Sequence, residues 1–366
     1  MSDAVRAALA SIVEGRTLSV DEARLAMGAV MDGEATPAQL AALLMGLRMR
    51  GETVEELAGF ASAMRERVLR VEAPEGAIDV VGTGGDGSGT FNISTAAALL
   101  VASAGVPVAK HGNRAITSRS GSADVLDALG VRIDHSAESA GESLRRHAFA
   151  FMFAPSFHPA MRHAGPTRRE IGVRTAFNLI GPLTNPAGAR RALLGVADPA
   201  SAQRIAQVAA LLGTDRTLVV HGDGVDELPL DGSGVVHDVT SDRIETMAVD
   251  AKALGLRGSP TSALAGGSAE ENAGMIEAIF DGEAGPRRDV VVLNGGAAMV
   301  AAGIATDLVE GVAAAAFVLA SGKPRELLAD LRAERAAFAA APTPGVAPGS
   351  AAPGTPPSTA SAGASA

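Results

Sequence analysis

Residues 80–95, VVGTGGDGSGTFNIST, follow an apolar run, carry glycines at 82, 84, 85, 87 and 89, and lead into an Ala/Leu-rich stretch. Gly82, Gly84 and Gly87 form a G-x-G-x-x-G, the spacing by which a dinucleotide fold brings bare backbone up to a pyrophosphate. Two features remove that reading. A dinucleotide site needs an acid at the end of the next strand to hold a ribose hydroxyl, and the next apolar run, VPVAK, ends in Lys110. The loop also runs on through Asp86, Ser88, Gly89 and Thr90 before a helix start at Ser94 and Thr95. A Walker-type loop fails as well, because no Gly-Lys-[Ser/Thr] follows. A general anion site survives: glycine gives access to backbone N–H groups, and a helix N-terminus at 92–95 adds donors. TFNIST holds more hydroxyl and amide groups than one helix cap needs, and the surplus points to a ligand.

Outward from this stretch, β-branched runs alternate with Ala/Leu-rich segments. From Ile78 onward the runs IDVVG, VPVAK, VRID, FAFMFAP, LLGVAD, TLVVHG and VVVLN read as strands. Such alternation predicts an α/β domain with a mainly parallel sheet covered by helices. GVVHDVTSDRIETMAVD alternates like an antiparallel pair, so the sheet is expected to be mixed. Upstream, Ser19-x-x-Glu22, Thr36-Pro37-x-Gln39 and Thr53-x-x-Glu56 each match a capping box that opens an apolar-periodic segment. In PAQLAALLMGLRMRG, Pro37 takes the first helical position and Leu40, Leu43, Leu44 and Leu47 share a face. The expected division is a helical domain over residues 1–72, with room for a later helical insertion, and an α/β domain over 73–341. Residues 342–366, rich in Ala, Pro, Gly and Ser, read as a disordered tail, since they cannot repay the entropy of ordering.

Composition narrows the function classes. The 366 residues carry a formal charge of −10 and no Trp or Tyr, which argues against a general nucleic-acid binder. The absence of Cys excludes disulfides, thiolate metal sites and a Cys nucleophile. No apolar run reaches the roughly 18 residues of a membrane helix, and the N-terminus lacks a signal-peptide core, so a soluble cytoplasmic protein is expected. Only Lys110, Lys252 and Lys323 are lysines, which makes Lys110 beside the glycine-rich region notable.

Three further elements carry chemistry. KHGNRAITSRSGSADVLDALG gathers Lys110, His111, Asn113, Arg114, Ser118 and Ser122 one strand after the glycine loop, and adjacent strand ends in an α/β sheet form one crevice. A cationic loop opposite a donor-rich one suits a polyphosphate. HGDGVDE follows the strand TLVV and ends in Asp226 and Glu227. Paired carboxylates beside phosphate-type loops suit Mg²⁺, which is typically held by one or two carboxylates together with substrate phosphates. HPAMRHAGPTRREIGVRTAFNLIGPLTNPAGARR collects His158, His163, Arg168, Arg169 and Arg174, one of which could recognise a carboxylate through a planar guanidinium fork. Arg190 and Arg191 read as solvated charges.

GTGGD…TFNIST, KHGNRA, GVRTAFNLIGPLTNPA and HGDGVDE, in this order, resemble the anthranilate phosphoribosyltransferases of tryptophan biosynthesis. The resemblance runs from the N-terminal helices to about residue 335, and Ile180, where Leu is usual, is a minor departure. It implies a nucleoside phosphorylase-like phosphoribosyltransferase fold and a homodimer with contacts through the helical part. The implied reaction is transfer of phosphoribosyl from 5-phosphoribosyl 1-diphosphate to anthranilate. Gly82, Gly85, Asp86, Thr90, Asn92, Ile93, Ser94, Thr95, Lys110, His111, Gly112, Asn113, Arg114, Ala115, Ile116, Thr117, Ser118 and Ser122 would surround the sugar donor. Gly82, Asn113 and Arg168 would face anthranilate, with Arg168 as the carboxylate partner. Ser94, Asp226 and Glu227 would hold two Mg²⁺ per subunit. Neither a nucleic acid nor a membrane is implied as a partner. Two alternatives are a pyrimidine-nucleoside phosphorylase-like enzyme, against which KHGNRA and the GPL loop discriminate, and a non-catalytic nucleic-acid-binding paralogue, disfavoured by acidic charge and the Asp226–Glu227 pair.

Overall fold

The computed structural model describes residues 2–115 and 119–340. The reading of residues 342–366 as a tail, and the site positions 116–118, lie outside them. The chain opens with helices α1 (Asp3–Val13), α2 (Val20–Met31), α3 (Pro37–Arg50) and α4 (Val54–Glu66). Each of the three expected capping boxes closes reciprocally: Ser19, Thr36 and Thr53 accept from the N–H three residues on, and Glu22, Gln39 and Glu56 reach back. Leu40, Leu43, Leu44 and Leu47 of α3 are buried together, as their spacing requires.

The chain then alternates strand and helix: β1 (Ile78–Gly82), α5 (Ile93–Ser103), β2 (Val108–Gly112), α6 (Ser122–Ala128), α7 (Ala137–His147) and β3 (Phe149–Phe153). Short helices α8 (Ala154–Phe157), α9 (Gly165–Ile171) and α10 (Ala176–Ile180) precede β4 (Arg191–Gly195), α11 (Pro199–Leu211) and β5 (Arg216–His221). A hairpin of β6 (Gly234–Val239) and β7 (Ile244–Val249) leads to α12 (Ala269–Phe280), α13 (Pro286–Ala302), α14 (Leu308–Ala320) and α15 (Lys323–Ala340). The strands form one seven-stranded sheet in the order β3-β2-β1-β4-β5-β6-β7. β1 to β5 pair in parallel, and β6 and β7 are antiparallel, giving the mixed sheet that the alternation of GVVHDV and IETMAV predicts.

Successive strand residues point to opposite faces, and the two faces meet different layers. Ile78, Val80, Leu193, Leu218 and Val220 pack with α5, α12, α13 and α15. Leu194 and Val219 pack the other way, in one cluster with α11, the helical layer α1–α4 and residues Ala176, Phe177 and Ile180 of α10. The helical layer is thus welded to the sheet through α11 and the segment that follows β3.

Two strand readings fail. VRID (residues 131–134) forms no strand; β2 already has β1 and β3 as partners, and Arg132 instead binds Asp134 at 3.1 Å and stacks 3.2 Å over the Phe338 ring. VVVLN lies inside α13, which starts with Pro286 and is buried continuously from Asp289 to Ala302. An apolar run buried on every side carries no period, so the run alone could not separate a strand from a buried helix. Arg191 is also not a solvated charge: half-buried, it donates to the Ala302 carbonyl at the C-terminus of α13, where helix carbonyls lack partners.

Candidate active site

The carboxyl ends of β1, β2 and β5 lie together, and three of the predicted loops leave from them. Asp226 is the centre of the arrangement. It accepts the Gly84 N–H at 2.7 Å across 142 residues of chain, which joins the turn after β5 to the glycine loop after β1. A Cβ at Gly82 would displace the Asp226 carboxylate, and Gly85 is required because its φ is +66° and a Cβ would strike the Arg174 guanidinium. Arg174 in turn donates to the Gly84 carbonyl, so the loop is gripped from the segment between β3 and β4.

Electrostatics mark the same spot. Burial pushes Asp226 up to about 6, with the nearby Asp86 carboxylate adding and the Gly84 N–H and Arg174 opposing. Burial and the Asp226 carboxylate push Glu227 well above the usual carboxylate range, against the pull of Lys110 and the Ser94 backbone N–H. Two neighbouring acids, each raised by burial and by a nearby carboxylate, make a site that favours a cation. Oxygen is the only donor type in the set Ser94, Asp226 and Glu227, which fits a hard divalent ion. No group of three His, Cys, Asp or Glu side chains gathers for a metal among the described residues. Mg²⁺ is typically held by one or two carboxylates and completed by substrate oxygens and water, which the Asp226–Glu227 pair suits.

Lys110 and His111 sit differently from the cationic loop expected of them. Both belong to β2 and are buried, Lys110 to 1% exposure. The Lys110 Nζ donates to the Val80 carbonyl at 2.5 Å. Burial lowers its proton affinity, and Asp79, Glu227 and Asp226 oppose that loss. Lys110 therefore serves the acids from beneath. Asp79 is itself pushed up to about 6 by burial, and is held by Asn185 Nδ2 at 2.6 Å and the His111 N–H at 3.2 Å. Asn185, from the GPLTNPA loop, also donates to the Ala109 carbonyl at 2.7 Å. His111 and His158 lie 5.0 Å apart, and burial pushes them down to about 3 and about 4, so both are neutral imidazoles.

Asn92 caps nothing with its side chain: its Oδ1 accepts from Asn272 at 2.9 Å and its Nδ2 donates to the Ser120 carbonyl at 3.2 Å. It joins the glycine loop to the loop after β2. Ile93 and Thr95 turn their side chains into the core, which leaves only their backbone to face a ligand. Asp86 accepts from the Ser88 hydroxyl at 2.6 Å, and Thr90 bridges to Ala265, pairing the glycine loop with residues 264–266. Gly112 closes β2 against Ser122, whose hydroxyl donates to the Asn113 carbonyl at 3.3 Å. Arg114 does not present a free charge, because Asp124 at 2.8 Å and Asp127 at 3.3 Å pair with it; Asp124 also fixes the Ala115 N–H.

Arg168 is not joined to this cluster by any ion pair or hydrogen bond among the described residues. It stands on α9 with its guanidinium 4.6 Å over the Phe177 ring. Burial works against its charge without a carboxylate to compensate, the condition of a guanidinium that awaits an anion.

Two positioning residues escaped the sequence reading. Asn294 of α13, fully buried, accepts the Leu228 N–H at 2.9 Å and donates to the Leu228 carbonyl at 3.0 Å, clamping the chain directly after Glu227. Asn272 does the same for Asn92, with its Oδ1 on the Gly267 N–H at 2.7 Å. A lone Asn in an apolar run was the available signal for the first, and it was absorbed into a strand.

Comparisons with known proteins agree with this geometry. Residues 6–68 match the glycosyl transferase family helical bundle domain, and residues 74–325 match the glycosyl transferase family a/b domain. The chain is 50% identical over 333 residues to the anthranilate phosphoribosyltransferase of Rhodopseudomonas palustris, covering 91% of this chain and 98% of that one. The structure is similar to that of the Thermus thermophilus anthranilate phosphoribosyltransferase, with a TM-score of 0.85 and 46% identity over 90% of this chain and 99% of that one. It is also similar to the Saccharomyces cerevisiae enzyme in complex with PRPP and Mg, with a TM-score of 0.82 and 25% identity over 92% and 99% of the two chains.

Proposed function

The chain belongs to the anthranilate phosphoribosyltransferase family, and from that premise we propose how its own residues carry the reaction. The enzyme transfers the phosphoribosyl group of 5-phosphoribosyl 1-diphosphate to the amine of anthranilate, giving N-(5-phosphoribosyl)anthranilate and diphosphate, a step of L-tryptophan biosynthesis. The observation that carries the assignment of the site is the Asp226 carboxylate lodged against Gly82 and the Gly84 N–H, beside buried Glu227 and above Lys110.

The sugar donor lies along the glycine loop, residues 82–95, and against residues 110–118 and Ser122. Bare backbone at Gly84 and Gly85 and the N-terminus of α5 supply N–H donors to its phosphate oxygens. Ser94, Asp226 and Glu227 would hold two Mg²⁺ on the diphosphate, and the ions supply charge neutralisation to the leaving group. Anthranilate meets the donor at Gly82 and Asn113, with its carboxylate on Arg168.

The bond from ribose C1 to diphosphate breaks, its electron pair leaving with the diphosphate, as the amine nitrogen bonds C1; the nitrogen then gives up one proton to water or to the departing diphosphate. An aryl amine is already a neutral nucleophile at neutral pH, so no strong general base is needed. His111 and His158, neutral and without a carboxylate partner, fit that demand as shape rather than as acid or base. Rate comes from positioning two substrates and from stabilising the departing charge. Two copies pair through the helical layer, where Val13 and Met49 are each 84% exposed, and the protein works in the cytoplasm.

Mixing protein, Mg²⁺, 5-phosphoribosyl 1-diphosphate and anthranilate should quench anthranilate fluorescence in proportion to enzyme. No loss above a heat-killed control would overturn the function. Light scattering at micromolar concentration should give twice the chain mass, and a monomer mass would overturn the pairing.

A further inference from the structure

A second cavity lies at the opposite end of the sheet, under the starts of β4 and β5. Its volume is about 320 Å³. Neither Asp226, Glu227 nor Arg168 lines it; the walls come from both backbone crossings between the helical layer and the sheet, residues 67–77 and 181–190, together with the end of α11. At about 30 Å³ per water, the space corresponds to roughly ten waters, or one single-ring molecule.

The walls have two characters. Val71, Leu183, Leu194 and Leu212 make them apolar on several sides, and Arg65 and Arg190 enter from opposite layers. Arg65 is the unusual member. Its Nε donates to the Leu183 carbonyl at 2.6 Å, and no carboxylate pairs with it among the described residues. Burial and the neighbouring Arg190 both work against its charge. Arg190 has one carboxylate, Asp215 at 2.6 Å, on the solvent side. Asp79, on the wall of the cavity, is already committed to Asn185 and to the His111 N–H, so it does not neutralise the arginines. Arg70 lines the chamber as a third guanidinium, and with Asp215 on Arg190 as the one carboxylate paired to any of the three among the described residues, the arginines leave a positive site of molecular size.

We propose that this cavity binds a small organic monoanion, a carboxylate on a single-ring apolar body, held between Arg65 and Arg190. The carboxylate pairs with the guanidinium that lacks a partner, and the ring takes the apolar wall. An occupant would bridge the end of α4 to the start of β4.

Benzoate titrated into the full-length Arg168→Met variant tests this by calorimetry, because that background removes the carboxylate partner proposed at the active site. One benzoate per chain is expected to bind. Arg65→Met and Arg190→Met, each added to that background, should raise Kd tenfold or more, and inorganic phosphate, which lacks the ring, should bind at least tenfold more weakly than benzoate. Arg190 is exposed, so its variant tests the idea even where Arg65→Met disturbs folding. No benzoate binding in Arg168→Met, or binding unchanged by both further substitutions, overturns the proposal; phosphate binding as tight as benzoate overturns the apolar part. The readout is independent of turnover, so it stands whether or not the phosphoribosyl transfer assay succeeds.

Discussion

Replacing Gly82 by alanine adds one methyl group, and its consequence can be worked out atom by atom. The backbone of Gly82 is not in the left-handed region, so alanine is conformationally allowed. The three nearest atoms to the new Cβ all belong to Asp226: Cγ at 3.0 Å, Cβ at 3.7 Å and Oδ2 closer than either. The carboxylate has to turn away, and the Gly84 N–H bond at 2.7 Å is the contact it leaves. A hydrogen bond to a charged acceptor contributes about 1.5–3 kcal/mol. If the reacting complex needs Asp226 in place, kcat/KM should fall about 10- to 150-fold, at 1.36 kcal/mol per decade. The assay is initial-rate loss of anthranilate fluorescence over a matrix of Mg²⁺ and 5-phosphoribosyl 1-diphosphate concentrations, with circular dichroism to confirm an unchanged fold. The loss should appear against both substrates, because the proposed site puts Gly82 where they meet. A variant within threefold of wild type at limiting Mg²⁺ would refute the reasoning.

Three other outcomes follow from the same geometry. Asp226→Asn combined with Glu227→Gln should abolish most turnover while anthranilate affinity changes little; full turnover at limiting Mg²⁺ would remove these residues from the metal site. Asn294→Leu leaves the Leu228 N–H and carbonyl without partners in the core, at about 1–3 kcal/mol each, so the urea midpoint should drop and activity with it; an unchanged midpoint contradicts the clamp. His158 is held neutral, with a folded pKa of about 4 below an unfolded value of 6.5, so its stabilising effect is whole above pH 6.5 and is lost as pH falls toward 4. His158→Phe should therefore gain about 2 kcal/mol on wild type between pH 7 and pH 5, read from urea unfolding at the two pH values; parallel pH profiles would show that the ring is not buried.

The sequence determined whatever depends on neighbours along the chain. The capping boxes at Ser19, Thr36 and Thr53 form because donor and acceptor are three residues apart, within reach whatever surrounds them. The change from helical to strand patterning at Ile78 and the pairing of β6 with β7 were legible from the local sequence, although β6 is buried nearly throughout and β7 is exposed except at Val249, so no one-face burial lies behind their alternation. The order of the glycine, KHGNRA and HGDGVDE motifs named the candidate loops, and the rule that ligands collect at carboxyl strand ends brought them together.

Tertiary structure decided everything that depends on residues distant in sequence. VVVLN became helix because a run buried on all sides has no period to read, and only the surrounding layers of α5, α14 and the sheet distinguish the two. Lys110 passed from expected loop cation to buried support, because the strand β1 and the acids Asp79, Asp226 and Glu227 close over it. Arg114 lost its free charge to Asp124 and Asp127, and Arg174 gained a grip on Gly84 from 90 residues away. Asp226 could be chosen as a ligand from its local motif, but its raised proton affinity arises from burial against β1 and from Asp86, neither of which its own stretch of chain contains.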